Sequence, residues 1–255
     1  MSDQGIVVAI DGPSGSGKST ISRRVAATFG LGYLDTGAMY RAAAWWCIRQ
    51  GADLTDRARV AELVREMPLE IGTDPATPAF LVGGEDVGTV IRSTEISTRV
   101  SAVATNLDVR AELQRRQRAV IAAESGGSDE LNAAPPHHRS HSEGRGVIAE
   151  GRDITTVVAP DADVRILLLA DESARLARRT REMHGVVDER TLAATRDQVI
   201  RRDADDSTVS NFTTAADGVI SVDTSALTLD EAVDAVSRIV AAASPVKPAS
   251  AQEHP

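Results

Sequence analysis

Nine consecutive residues, Gly12-Pro13-Ser14-Gly15-Ser16-Gly17-Lys18-Ser19-Thr20, fit the pattern G-x-x-x-x-G-K-[ST] between an apolar run, Ile6 to Ile10, and an amphipathic stretch ending at Phe29. That context makes them a phosphate-binding loop rather than a glycine-rich turn. Glycines let backbone N–H groups close around phosphate oxygens, and the helix that follows lends its positive end. The Lys18 ammonium is placed to reach the β- and γ-phosphates, and the Ser19 hydroxyl to ligate Mg²⁺. Usage elsewhere sharpens the assignment: of 28 basic residues 26 are arginine, and the only lysines are Lys18 and Lys247. Arginine is a wide planar fork, whereas lysine is a point charge on a slim stem that can enter a phosphate cradle.

A bound triphosphate needs a second reactant, and arginines supply the charge to hold an anionic one. Arg41 falls in the first turns of a helix opened by Asp35-Thr36-Gly37, where Thr36 reads as the N-cap and the helix mouth as an anion site. Glu150-Gly151-Arg152-Asp153 follows the apolar run Val147 to Ala149, and Glu150 is the candidate second partner of Mg²⁺, through water. Between Ser173 and His184 stand Arg175, Arg178, Arg179 and Arg181, the first three spaced to share a helix face. Alone, that run is a solvated basic face; with a phosphate loop in the same chain it reads as a mobile arginine-bearing lid over about residues 172–190. A further helix from Asp188 ends in Arg202-Asp203-Ala204-Asp205-Asp206. Trp45 and Trp46 read as core rather than a base-stacking platform, and Cys47 as a small buried hydrophobe. His137, His138 and His141 read as part of a solvated loop rather than a metal site.

These groups need a scaffold that brings loop ends together. Five runs read as strands buried on both faces: Ile6 to Ile10, Leu31 to Leu34, Val147 to Ala149, Val164 to Leu169 and Val219 to Val222. Helical patterns follow them, the signature of a parallel sheet with helices on both sides and ligands beyond the carboxyl ends of its strands. Residues 53–105 break this rhythm with a helix (56–66) and short extended pieces (69–72 and 79–82), so they read as a lobe inserted into a core of 1–52 and 106–240. Residues 125–146 read as a flexible surface loop, and 241–255 as a disordered tail.

At 255 residues the chain can bury a full core. Its formal charge of −9 argues against indiscriminate nucleic-acid binding. No stretch reads as a signal peptide or a bilayer span, so a cytoplasmic protein is expected, and a single cysteine excludes an internal disulfide.

Together these segments resemble the bacterial cytidylate kinases, a branch of the nucleoside monophosphate kinases. The likeness covers about residues 5–240. It rests on the phosphate loop, on Leu34 to Arg41, Gly84 to Val87, Arg115 to Arg118 and Glu150 to Asp153, and on Arg202-Asp203 with Asp206-Ser207. It implies a P-loop kinase with a five-stranded parallel sheet flanked by helices, an inserted monophosphate-binding lobe and an arginine-bearing lid, acting as a monomer. ATP would occupy Gly12 to Thr20, with Mg²⁺ on Ser19, and CMP or dCMP the cleft between the sheet and the inserted lobe. Residues matching Thr36, Tyr40, Arg41, Ser101, Arg110, Arg152, Asp153, Arg202 and Asp206 would surround the monophosphate, and Lys18, Arg152, Arg178 and Arg179 would serve catalysis. Asp153 and Arg110 would complement the amino donor and ring acceptor of cytosine. The family usually carries an arginine shortly after the Asp-Ser pair, near the sugar; here Val209 stands there and no arginine appears before Arg238. Rival readings are a P-loop kinase of another acceptor, such as UMP or shikimate, and a nucleotide-dependent switch or ATPase. GTPases read guanine with Asn-Lys-x-Asp, which cannot occur in a chain with no lysine between Lys18 and Lys247.

Overall fold

The computed structural model describes residues 4–127 and 140–243. β1 (Ile6–Asp11) leads through the glycine-rich loop into α1 (Lys18–Phe29), and β2 (Gly32–Asp35) leads directly into α2 (Thr36–Arg49). Next come α3 (Arg57–Glu66) and the short strands β3 (Leu69–Gly72), β4 (Ala79–Val82) and β5 (Glu85–Asp86). After α4 (Thr94–Ala104) and α5 (Leu107–Glu124), the chain returns through β6 (Gly146–Gly151) and β7 (Val164–Leu169). It closes with α6 (Glu172–His184), α7 (Glu189–Ser207), β8 (Ile220–Asp223) and α8 (Leu229–Ala243).

The five apolar runs form one parallel sheet in the order β2-β6-β1-β7-β8, so β1 lies at the centre and the phosphate loop leaves its carboxyl end. Val8 pairs with Val164 and Ile166 with Ile220. Val8, Ile10, Ile148, Ile166 and Leu168 are fully buried, as strands covered by helices on both faces require. β8 departs from that expectation: it is an edge strand, and its Ile220 is 47% exposed.

The chain divides into two compact units. One comprises residues 31–147 with the start of the chain through Ile6; the other comprises Val7–Gly30 and residues 148 onward. In the first, α2 packs on α3 and α4, and α3 on α5, around Phe80, Ile91 and Leu113. Its strands β3, β4 and β5 form an antiparallel sheet. α2 begins one residue earlier than expected: Asp35, not Thr36, is its N-cap, its carboxylate accepting from the Ala38 amide at 2.7 Å. Buried Arg116 braces the C-terminal end of α3, donating to the Val64, Arg65 and Met67 carbonyls. Trp45 is buried, and Trp46 donates its indole N–H to the Leu63 carbonyl, so both serve the core. Cys47 is buried too, and burial pushes its thiol up to about 11.

The segment expected as a loop at 125–146 lies in part, residues 128–139, outside the described residues, as do residues 244–255 of the expected tail. His137 and His138 are among those left out. Residues 140–142 are tied down by the buried Glu124 carboxylate, which accepts from Ser142 Oγ at 2.6 Å, Thr73 Oγ1 at 2.6 Å and the Ser142 amide at 3.0 Å. Among the described residues no cluster of three or more His, Cys, Asp or Glu could hold a metal, and no helix is long and apolar enough to cross a membrane. In the second unit α1 packs on α8 and α6 on α7, with Asp171 and Asp188 capping α6 and α7.

Candidate active site

The loop after β1 bends so tightly that side chains are excluded at two points. A Cβ on Gly12 would lie 2.2 Å from the Leu168 carbonyl oxygen, and one on Gly15, at φ +79°, would lie 2.5 Å from the Arg175 carbonyl oxygen. The first contact seats the loop on β7; the second brings the first turn of α6 onto it. Lys18 opens α1 and folds its ammonium back over the loop, donating to the Gly12 carbonyl at 2.7 Å and the Pro13 carbonyl at 2.9 Å. Burial, helped by the neighbouring Arg152 charge, lowers this amine to about 8 against the pull of Glu150, Asp203 and Asp11.

Ser19, next in the helix, donates its hydroxyl to Glu150 Oε1 at 2.5 Å. Glu150 stands near the end of β6, and the turn after it is built on Asp11. That buried carboxylate, at the end of β1, accepts from the Ile154 amide (3.0 Å), the Thr155 amide (2.8 Å) and Thr155 Oγ1 (2.6 Å). Burial pushes the Asp11 carboxyl up, and these hydrogen bonds oppose the shift. The turn continues as a short π-helical segment, Ile154–Val158, which carries buried Asp153 at its head.

Arg152 is held on three sides. Its Nη1 meets Asp203 at 2.8 Å, its Nε meets Asp206 at 2.8 Å, and its guanidinium lies 4.4 Å from the ring centre of buried Phe212. Asp203 also accepts from the Ser14 amide of the phosphate loop at 3.2 Å and from Arg175 at 2.5 Å, and Arg175 reaches the Ser14 carbonyl at 3.1 Å. Although burial works the other way, the Arg152 and Arg175 charges hold the Asp203 carboxyl below its ordinary range. Lys18, Ser19, Glu150, Arg152 and Asp206 thus share one neighbourhood with two residues the sequence reading did not single out, Arg175 and Asp203. Their signal was present, Arg175 in the lid run and Asp203 beside Arg202, but nothing in the spacing shows that they pair. Arg178 points elsewhere: it donates to the Thr224 hydroxyl at 2.9 Å and carbonyl at 2.6 Å, and the Thr224 hydroxyl donates to the Ser16 carbonyl at 3.2 Å. Arg179 lies on α6 and Arg202 on α7.

The remaining expected residues lie in the other unit. Thr36 and Tyr40 are buried on α2, and Arg110 of α5 lies 5.9 Å from the Tyr40 ring centre. Arg41 meets Asp35 at 3.0 Å, and Arg92, which the sequence reading passed over, meets the same carboxylate oxygen at 3.3 Å. Ser101 stands on α4. The chemistry on offer is that of anions held by arginines and one amine.

The family model for cytidylate kinase matches residues 8–127 and 132–242. A cytidylate kinase of Cutibacterium acnes is 45% identical over 241 residues, covering 94% of this chain and 98% of that protein. One of Nocardia farcinica is 44% identical over 243 residues, covering 94% and 95%, and one of Streptomyces griseus is 42% identical over 236 residues, covering 92% of each. With the loop, the Glu150 to Asp153 turn and the parallel sheet in place, the chain belongs to the cytidylate kinase family.

Proposed function

We infer that the protein transfers the γ-phosphoryl group of ATP to CMP, and to dCMP, giving ADP and CDP or dCDP. The observation that carries this reading is the seating of Lys18 and Ser19 against Glu150, Arg152 and Arg175 around one phosphate loop, in a chain matched almost end to end by the cytidylate kinase family. Transfer between phosphates asks little of acid or base, because the acceptor is already largely ionised at pH 7. It asks instead for alignment of two anions and neutralisation of their repulsion. Lys18 and the arginines of α6 serve the donor phosphates; Arg41, Arg152 and Arg202 serve the acceptor phosphate. Thr36, Tyr40, Ser101 and Asp206 complete the acceptor's surroundings, and Arg110 and Asp153 read cytosine. Uracil inverts the donor and acceptor that this pair complements, leaving buried polar groups unpaired, a mismatch costing up to about 10⁴-fold.

Ser19 and Glu150 fit Mg²⁺ and would hold it, offering an uncharged hydroxyl and one carboxylate, both hard oxygen ligands. Held there, the ion would supply charge neutralisation for the transferring phosphoryl group. Residues 53–105 would act as the acceptor-binding lobe and 172–190 as the lid, in a cytoplasmic monomer.

The test is an ADP-release assay with ATP and Mg²⁺ against CMP, dCMP, UMP, AMP and shikimate. CMP and dCMP should exceed UMP by orders of magnitude; equal turnover of UMP or shikimate removes the cytosine reading.

A further inference from the structure

We propose that Asp203 is an internal stand-in for nucleotide phosphate: its carboxylate holds the Ser14 amide and Arg175, from which the phosphates of ATP displace it, and Arg152, from which the acceptor phosphate displaces it. The argument starts from what the carboxylate touches. One oxygen accepts from the Ser14 amide at 3.2 Å and from Arg152 at 2.8 Å; the other accepts from Arg175 at 2.5 Å. A loop N–H, the Arg175 guanidinium and, close enough to be raised by Asp203, the Lys18 ammonium are donors a triphosphate needs there, and Arg152 is one the acceptor phosphate needs. The side chains of Asp203, Arg152 and Arg175 are only about one-sixth exposed, at 15–16%, so a second anion cannot share these donors without strong repulsion.

The hydrogen bonding around Asp203 is also incomplete. Arg175 Nε and Ser16 Oγ are buried and lack hydrogen-bond partners among the described residues, although both border the loop. A phosphate brings more acceptor oxygens than one carboxylate and can satisfy groups that Asp203 leaves orphaned.

A second aspartate shows what a fixed carboxylate looks like. Asp35 also pairs with two arginines, Arg41 and Arg92, but it is 3% exposed and caps α2 through the Ala38 amide. Removing it would uncap a helix. Asp203 caps nothing; it projects from the body of α7, and α7 packs on α6, whose first turn rests on Gly15. A shift of α7 carries Asp203 off the loop, while Ser14 and Arg175, whose backbone rests on Gly15, stay behind for the nucleotide.

This proposal deepens the ATP reading of the loop and rests on it. The experiment measures Mg·ATP binding without acceptor, together with thermal melting, for the full-length wild type and Asp203→Asn. Wild type that neither binds ATP nor phosphorylates CMP fails the ATP reading, and the proposal falls with it. If wild type does bind, the variant is expected to bind ATP about three- to tenfold more tightly, since the ligand no longer competes with an internal charge, while its ligand-free form melts lower. Its KM for ATP should fall in step. Equal or weaker ATP binding by the variant means that Asp203 merely braces the arginines, and overturns the proposal. Should Asp203→Asn not fold, a structure of wild type with a non-hydrolysable ATP analogue decides. The proposal holds if the carboxylate has left the Ser14 amide, and fails if it is still hydrogen-bonded there.

Discussion

Lys18 is where the chain's chemistry can be followed by proton count. Burial sets its ammonium at about 8 against an ordinary 10.5. Such an amine opposes folding fully below about pH 8, where it is charged in both states, and the opposition fades as pH rises toward 10.5. The sign follows because in that window the unfolded chain alone still holds the proton. Nucleotide phosphates act the other way, favouring the charged amine. At about pH 9, ATP binding should therefore take up a substantial fraction of one proton per site, read by calorimetry in two buffers of different ionisation enthalpy. Lys18→Met should show no uptake; equal uptake in the variant would move the proton to another group. At the neighbouring position, Ser19 donates to Glu150 at 2.5 Å. Glu150→Gln should raise the Mg²⁺ concentration for half-maximal activity by about ten- to a hundredfold, with CMP KM nearly unchanged. An unshifted Mg²⁺ curve removes Glu150 from the ion's surroundings.

Among the elements, the central strand does more than launch the phosphate loop. Asp11 at its end fixes the turn after β6 through two amides and a hydroxyl, and so sets where Glu150 and Arg152 stand. Asp11→Asn replaces one acceptor oxygen with a donor that faces N–H groups. It should lower the melting temperature by roughly 4–12 °C, taking about 2–3 kcal/mol for the unsatisfied buried amides. A shift below about 2 °C would show the turn to be self-supporting. How legible such features were depends on whether they are local. The five strands could be read because each is a short, mainly apolar run, broken only by Arg165 in the fourth and Ser221 in the fifth, and α3, β3 and β4 because Pro68 and the Gly83-Gly84 turn punctuate them. Nothing local announces the π-helical turn at Ile154–Val158, since Ile-Thr-Thr-Val-Val has the composition of a strand and is held by a carboxylate 143 positions away. The pairing of Ser14 with Asp203 spans 189 positions, and that of Arg152 with Asp203 spans 51, so no periodicity could show them. Asp35, not Thr36, caps the helix for a local reason, because its carboxylate reaches the Ala38 amide and Arg41 nearby, while its second arginine, Arg92, lies 57 positions away.

Taken as a whole, the molecule gathers basic groups around its phosphate loop within a formal charge of −9, and apart from Lys18 does so with arginine. Its general field repels nucleotides, so capture depends on charges at the site itself. The same composition makes the loop chemically addressable, because apart from the α-amine the chain has only two amines, Lys18 and Lys247. A lysine at about 8 is far more nucleophilic near pH 8 than one at its ordinary value, since a much larger fraction is unprotonated. Pyridoxal 5′-phosphate carries both an amine-reactive aldehyde and a phosphate suited to the loop. With borohydride to trap the adduct, it should inactivate the protein in step with modification of Lys18 by mass spectrometry, and Mg·ATP should protect. CMP alone should protect less, because in this reading it leaves the donor loop open. Inactivation that tracks Lys247 or the α-amine instead, or protection by CMP equal to that by ATP, would separate the reactive amine from the nucleotide loop and refute the assignment of Lys18 to the donor phosphates.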